Sequence, residues 1–253
     1  MIFDETIIEI SHLSHVFGKH IALEDIDLIV PQGTFVSVVG PNGGGKTTLL
    51  KCLLGLIEPQ EGSIKIAGYE PKQVPSNLIG YIPQIKTLDR TFPAYSIELV
   101  ATGILNHWPL RLNTEVVDKC CEALRIAGAD HLKYRQLSEL SGGELQRIYF
   151  ARSIVRNPKI LILDEPATGI DLSAENDMNL IIDEYKEKNE AIVIMVTHDW
   201  ESAYHHADKA LMINVRQICY DSPDIAFSEK NMRKVFGHVG HAHDMLFKGG
   251  RNV

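Results

Sequence analysis

The chain has 253 residues, with 25 Lys and Arg against 33 Asp and Glu, a formal charge of −8 and 45% hydrophobic residues. Its most apolar runs, 160–163 and 192–196, are strand-sized and fall short of the roughly 18 consecutive apolar residues of a membrane span. The negative balance argues against a dedicated nucleic-acid binder, whose affinity rests on Lys and Arg neutralising phosphates.

In chain order, Ile- and Val-rich alternation predicts short strands over 6–10, 22–30 and 35–39, punctuated by Pro31-Gln32-Gly33. The acidic start, Met1-Ile2-Phe3-Asp4-Glu5, lacks the basic and apolar character of a secretory leader. Gly43-Gly44-Gly45 opens a predicted helix over 46–54, and Glu58-Pro59-Gln60-Glu61-Gly62 turns the chain toward strands over 63–67 and 79–82. From about 85 to 138 the period becomes helical, with Ile97, Val100, Ala101 and Ile104 on one face and Val116, Val117, Cys120 and Leu124 on another. This reads as a helical insertion. A helix over 143–156 leads through Asn157-Pro158 to an apolar strand at 160–163. After it come a helix near 174–187, a strand over 192–197, a further helix, and strands near 211–213 and 217–220. Such alternation implies an α/β fold with a mostly parallel sheet covered on both faces. The four cysteines, Cys52, Cys120, Cys121 and Cys219, have neither zinc-site nor disulfide-framework spacing, which favours a reducing, cytosolic compartment.

Gly40-Pro41-Asn42-Gly43-Gly44-Gly45-Lys46-Thr47 fits G-x-x-x-x-G-K-[ST] at every fixed position, between a predicted strand and a predicted helix. Its glycines let backbone N–H groups turn toward phosphate oxygens, and the helix start adds partial positive charge. Lys46 reaches the β- and γ-phosphates, while Thr47, followed by Thr48, offers a hydroxyl to Mg²⁺. The strand at 160–163 ends in Asp164-Glu165, a pair suited to hold Mg²⁺ through water (Asp164) and to orient or deprotonate the attacking water (Glu165). The bland alternative is a cap for a helix beginning at Pro166. Ser141-Gly142-Gly143-Glu144 opens the helix over 143–156, either as a second anion site of N–H groups and a hydroxyl or as an ordinary N-cap.

The order and spacing of these motifs, including Leu140-Ser141-Gly142-Gly143-Glu144-Leu145-Gln146-Arg147 between the glycine loop and Asp164, resemble the ATP-binding-cassette (ABC) ATPases over residues 7–222. That resemblance implies a P-loop core with a mostly parallel sheet, an N-terminal antiparallel β portion and a helical subdomain inserted near 85–145. The whole would be one ABC ATPase domain over 1–237 with a His-containing tail over 238–253. On the same resemblance Gln84 contacts Mg²⁺ and the attacking water, and Asp171 of Gly169-Ile170-Asp171 lies at a subunit interface. His198 of Thr197-His198-Asp199 grips the γ-phosphate. Phe17, in His15-Val16-Phe17-Gly18, is the aromatic on which adenine stacks, with core packing as the alternative. The sequence departs from the family pattern at Ser222, where a glycine usually precedes Pro223.

The resemblance further implies that ATP and Mg²⁺ are bound and hydrolysed by a dimer, in which Ser141, Gly142, Gly143 and Glu144 of one copy close over the ATP of another. The implied partners are integral membrane permease subunits, a second ATPase subunit making a homodimer, and a substrate-binding protein, with no nucleic acid. The implied location is peripheral, on the cytoplasmic face of the membrane. The glycine triplet before Lys46-Thr47-Thr48, and Tyr81-Ile82-Pro83-Gln84 leading to Asp89-Arg90-Thr91-Phe92-Pro93, resemble the ATPases of zinc and manganese importers. The tail adds His238, His241, His243 and Asp244, groups able to ligate a divalent cation. The alternatives are import of an iron chelate, a phosphonate or another small solute, and a soluble ABC ATPase in cofactor assembly or on the ribosome.

Overall fold

The computed structural model describes residues 7–84, 93–105, 107–109, 111–166 and 171–237. These fall into two compact units, divided after 74 and again after 193, with the chain returning to the first unit at its end.

The first unit begins with β1 (Ile8–Phe17) and β2 (His20–Val30), an antiparallel pair closed by the turn at Gly18-Lys19. Along β2, Ile26, Leu28 and Val30 point inward between exposed Asp25, Asp27 and Ile29, the alternation of a half-buried strand. The five residues of β3 (Phe35–Val39) are all buried, as expected of a strand covered on both faces. Next come α1 (Lys46–Leu53) and β4 (Glu61–Ile66), the latter antiparallel to β1.

In the second unit β5 (Ile79–Ile82) leads to α2 (Ser96–Leu105), α3 (Thr114–Ile126) and α4 (Gly142–Ile154), then β6 (Ile160–Asp164) and α5 (Leu172–Asn189). The three helices α2, α3 and α4 pack on one another. They bury Ile97, Val100 and Ala101 of α2 with Val116, Cys120 and Leu124 of α3, whereas Ile104 and Val117 of the predicted faces are only half-buried. Phe150 of α4 meets Tyr185 of α5 edge on, with centroids 6.1 Å apart, and the Tyr185 hydroxyl donates to the Pro158 carbonyl at 2.9 Å. β5 runs parallel to β6.

β7 (Ile192–Val196) crosses the second division. Back in the first unit lie α6 (Trp200–His206), β8 (Lys209–Asn214), β9 (Arg216–Asp221), α7 (Pro223–Ala226) and α8 (Glu229–Phe236). There β4, β1, β2, β9, β8 and β3 lie side by side in that order, with β3 and β8 parallel. The result is the expected α/β fold with an antiparallel portion at its N-terminal end. One expectation is corrected, since β1 runs on to Phe17 rather than ending at 10, and the stretch after β9, for which no element was expected, forms two helices. Met232 and Val235 of α8 are buried in an apolar cluster with Phe227, and Trp200 and Phe236 pack against it. All four cysteines are free, and burial pushes the thiols of Cys52 and Cys120 up to about 11 and about 12. No helix among the described residues is long and apolar enough to cross a membrane.

Candidate active site

The first unit carries the glycine loop. It leaves the buried end of β3 and enters α1, whose N-cap, Gly45, has no capping side chain and whose first turn holds no acidic residue. This helix start carries no acidic side chain of its own in the first turn, which suits it to an anion. A Cβ on Gly40 would lie 2.0 Å from the Ile213 carbonyl oxygen. Gly45 sits at φ +98°, and a Cβ there would be 2.4 Å from the Ala22 carbonyl oxygen. Replacing Gly40 with Ala is expected to destabilise the chain by about 3 kcal/mol or more, seen as a lower denaturant midpoint. An unchanged midpoint would contradict the close approach.

The loop is braced from a part of the chain remote in sequence. Val215 N–H donates to the Gly44 carbonyl at 2.9 Å, and Gly44 N–H donates to the Pro41 carbonyl at 3.0 Å. Lys46 is buried, and its ammonium donates to the carbonyls of Gly40 at 2.7 Å and Pro41 at 2.9 Å. The cation is thus curled over the loop it serves. Asn42, Gly43 and Thr47 are exposed, and Thr48 is half-buried. Phe17 ends β1 with 48% of its surface exposed, so core packing does not account for it. His198 is exposed just past β7, and Asp199 after it caps α6 by accepting from Glu201 N–H at 2.9 Å.

The second unit carries the carboxylates. The register of β5 on β6 pairs Ile82 with Leu163, so Gln84 and Glu165, each two residues further on, emerge side by side. The Gln84 side-chain nitrogen donates to Glu165 Oε2. Glu165 holds φ 50°, a left-handed backbone that costs a non-glycine residue strain and is concentrated at functional sites. Asp164 is 7% exposed. Burial first, and then the Asp164 charge, push the Tyr81 phenol above its ordinary range. Among the described residues the next helix begins only at Leu172, capped by the exposed Asp171 accepting from Ala174 N–H at 2.9 Å.

At the start of α4 the Ser141 hydroxyl accepts from Glu144 N–H at 3.3 Å, and Glu144 Oε2 accepts from Ser141 N–H at 2.8 Å. This is a capping box, and its hydrogen bonds to Ser141 hold the Glu144 carboxyl below the usual carboxylate range. The N-cap reading of this segment is therefore correct as far as Ser141 and Glu144 go, and the N–H groups of Gly142 and Gly143 lie between the two. Gly169, Ile170, Asp89, Arg90, Thr91, Phe92, His238, His241, His243 and Asp244 lie outside the described residues. Sequence reasoning missed Ile213 and Val215 as the brace of the glycine loop. Backbone contacts of this kind leave no side-chain signature.

Comparison with known proteins gives the following. The family model described as ABC transporter matches residues 23–168. The manganese transport system ATP-binding protein MntB of Bacillus subtilis is 33% identical over 91% of this chain and 92% of its own length. The zinc import ATP-binding protein ZnuC of Pseudomonas aeruginosa is 31% identical over 96% of this chain and 88% of its own. Among solved structures, cbiO1 of Clostridium perfringens, part of the ABC transporter complex cbiONQ, is similar with a TM-score of 0.78 and 25% identity, over 96% of this chain and 100% of that one.

Proposed function

The chain belongs to the ABC transporter family, and from that premise we propose that it is the ATP-hydrolysing subunit of an importer for a divalent metal ion, zinc or manganese. The observation that carries the cargo is that relatives named for manganese transport and zinc import match it over nearly its whole length. Separate membrane permease subunits supply the passage, a substrate-binding protein delivers the ion, and two copies of this chain, on the cytoplasmic face, supply the stroke.

In this reading adenine lies on Phe17 and the phosphates lie in the loop 40–48, met by its N–H groups and by Lys46. The hydroxyl of Thr47, the carboxylate of Asp164 and the side-chain oxygen of Gln84 are hard oxygen donors, the set Mg²⁺ takes. These groups would hold Mg²⁺, which would supply positive charge to neutralise the phosphate oxygens. Glu165, held through Oε2 by the Gln84 side-chain nitrogen, accepts a proton from the attacking water. The water oxygen then bonds the γ-phosphorus as the bond to the bridging oxygen of ADP breaks. His198 steadies the γ-phosphate. Ser141, Gly142 and Gly143 of the second copy meet it from the other side, with Glu144 and Asp171 fixing the ends of α4 and α5 that carry the contact.

The cargo is tested in cells. Deleting the chain from its native host is expected to stop growth in chelator-treated medium and to lower cellular zinc or manganese, with growth restored by adding the same metal. Wild-type metal content in the deletion strain would sink the assignment.

A further inference from the structure

We infer that His15 is a positioning residue for the adenine platform, holding the ring of Phe17 in the plane on which the base stacks; this rests on the reading of Phe17 given above. Phe17 stands at the end of β1 with 48% of its surface exposed, so it lacks the all-round packing that fixes an aromatic ring in a core. What it does have is the imidazole of His15, with ring centroids 4.6 Å apart and planes at 75°. That is the edge-to-face arrangement in which the positive rim of one ring meets the negative face of the other.

His15 is itself unusual. It is 8% exposed, and its Nδ1 is buried without a hydrogen-bond partner. Buried polar atoms are nearly always paired, and an unpaired one costs stability that an apolar side chain of similar size would avoid. The imidazole therefore contributes here through its ring rather than through a polar network. The register of β1 on β2 also shifts between His15 and Val16, where β2 carries the extra residue, Ala22, and such irregularities re-aim side chains beside binding sites. A ring already held in plane spares the nucleotide the ordering cost of stacking on a mobile one. Loss of His15 therefore weakens recognition of the base and leaves recognition of the phosphates alone.

The test is equilibrium titration of the full chain, in the presence of Mg²⁺, with two probes: ADP, which has the base, and inorganic tripolyphosphate, which does not. His15→Ala is expected to weaken ADP about fivefold, the contribution of one aromatic pair, and to leave tripolyphosphate unchanged. His15→Phe keeps an aromatic edge without the idle nitrogen and is expected to retain wild-type ADP affinity, which also guards against a folding defect. Adding His15→Ala to Phe17→Ala should weaken ADP no further than Phe17→Ala does alone. Equal weakening of both probes by His15→Ala, failure of His15→Phe to restore ADP affinity, or a full fivefold loss on the Phe17→Ala background would each overturn the proposal. If Phe17→Ala lowers ADP affinity while His15→Ala does not, His15 is removed and the platform stands. If Phe17→Ala itself leaves ADP affinity unchanged, the platform reading fails and His15 falls with it.

Discussion

Glu165→Gln is expected to bind ATP as tightly as the parent and to hydrolyse it about a thousandfold more slowly, the range by which a positioned general base accelerates a reaction. The substitution removes the proton acceptor and little else. Gln84 donates to Glu165 Oε2, and a glutamine at 165 still offers a side-chain oxygen in that place, so the pairing at the ends of β5 and β6 survives. The left-handed backbone at 165 is no harder for glutamine than for glutamate. In the proposed dimer, closure of the two copies depends on bound ATP and reopening on its loss, so the variant should also accumulate as a dimer in the presence of ATP and Mg²⁺. Phosphate release, nucleotide titration and gel filtration check the three statements, and parental turnover would falsify the role given to Glu165.

Lys46→Ala is expected to act on the opposite step, lowering ATP affinity about a hundredfold, as removal of a buried, hydrogen-bonded charge from a binding site does. Lys46 is 6% exposed, so its ammonium is poorly solvated, and an anion meeting it pays little to displace water. The alanine also leaves the carbonyls of Gly40 and Pro41 without the donor they share at 2.7 and 2.9 Å. A modest fall in stability should therefore accompany the loss of binding. Titration with ADP and tripolyphosphate should show the two probes weakened alike, since the side chain reads phosphate and not base. Affinities within about threefold of the parent would remove Lys46 from the phosphate site. The pair of variants separates capture from cleavage: one binds without turning over, the other does not bind.

How much of this was legible in the residues depends on how local each constraint is. The loop 40–47 reads directly, because close approach forbids a side chain at Gly40 and Gly45, and the same positions are fixed in the motif. The apolar runs 160–163 and 192–196 read as strands, and β6 and β7 are each buried along their whole length. The far half of β1 did not read as strand. His12 there sits at positive φ, the register slips between Ile10 and Leu13 and again near His15, and Ser11, His12 and Ser14 carry no strand signal. The same irregularity hid His15, whose burial comes from the tertiary fold. α8 escaped because a short helix with two buried residues, Met232 and Val235, leaves too few periods to count. The juxtaposition of Gln84 with Glu165 depends on which strand neighbours which, and composition does not encode that.

Gly45 leaves no room for a side chain against Ala22 and Leu23 of β2, and β2 is the strand whose His20 pairs with Phe17. The proposed platform for the base and the proposed cradle for the phosphates are thus cast in one piece, with the spacing between them set by the backbone. Such a piece works as a caliper. A nucleotide of matching span is a bidentate ligand whose second contact forms at high effective concentration once the first is made, while a free base or a bare phosphate chain collects only its own weak half. Lengthening the turn at Gly18-Lys19 by a residue would leave each jaw intact and open the caliper to the wrong width.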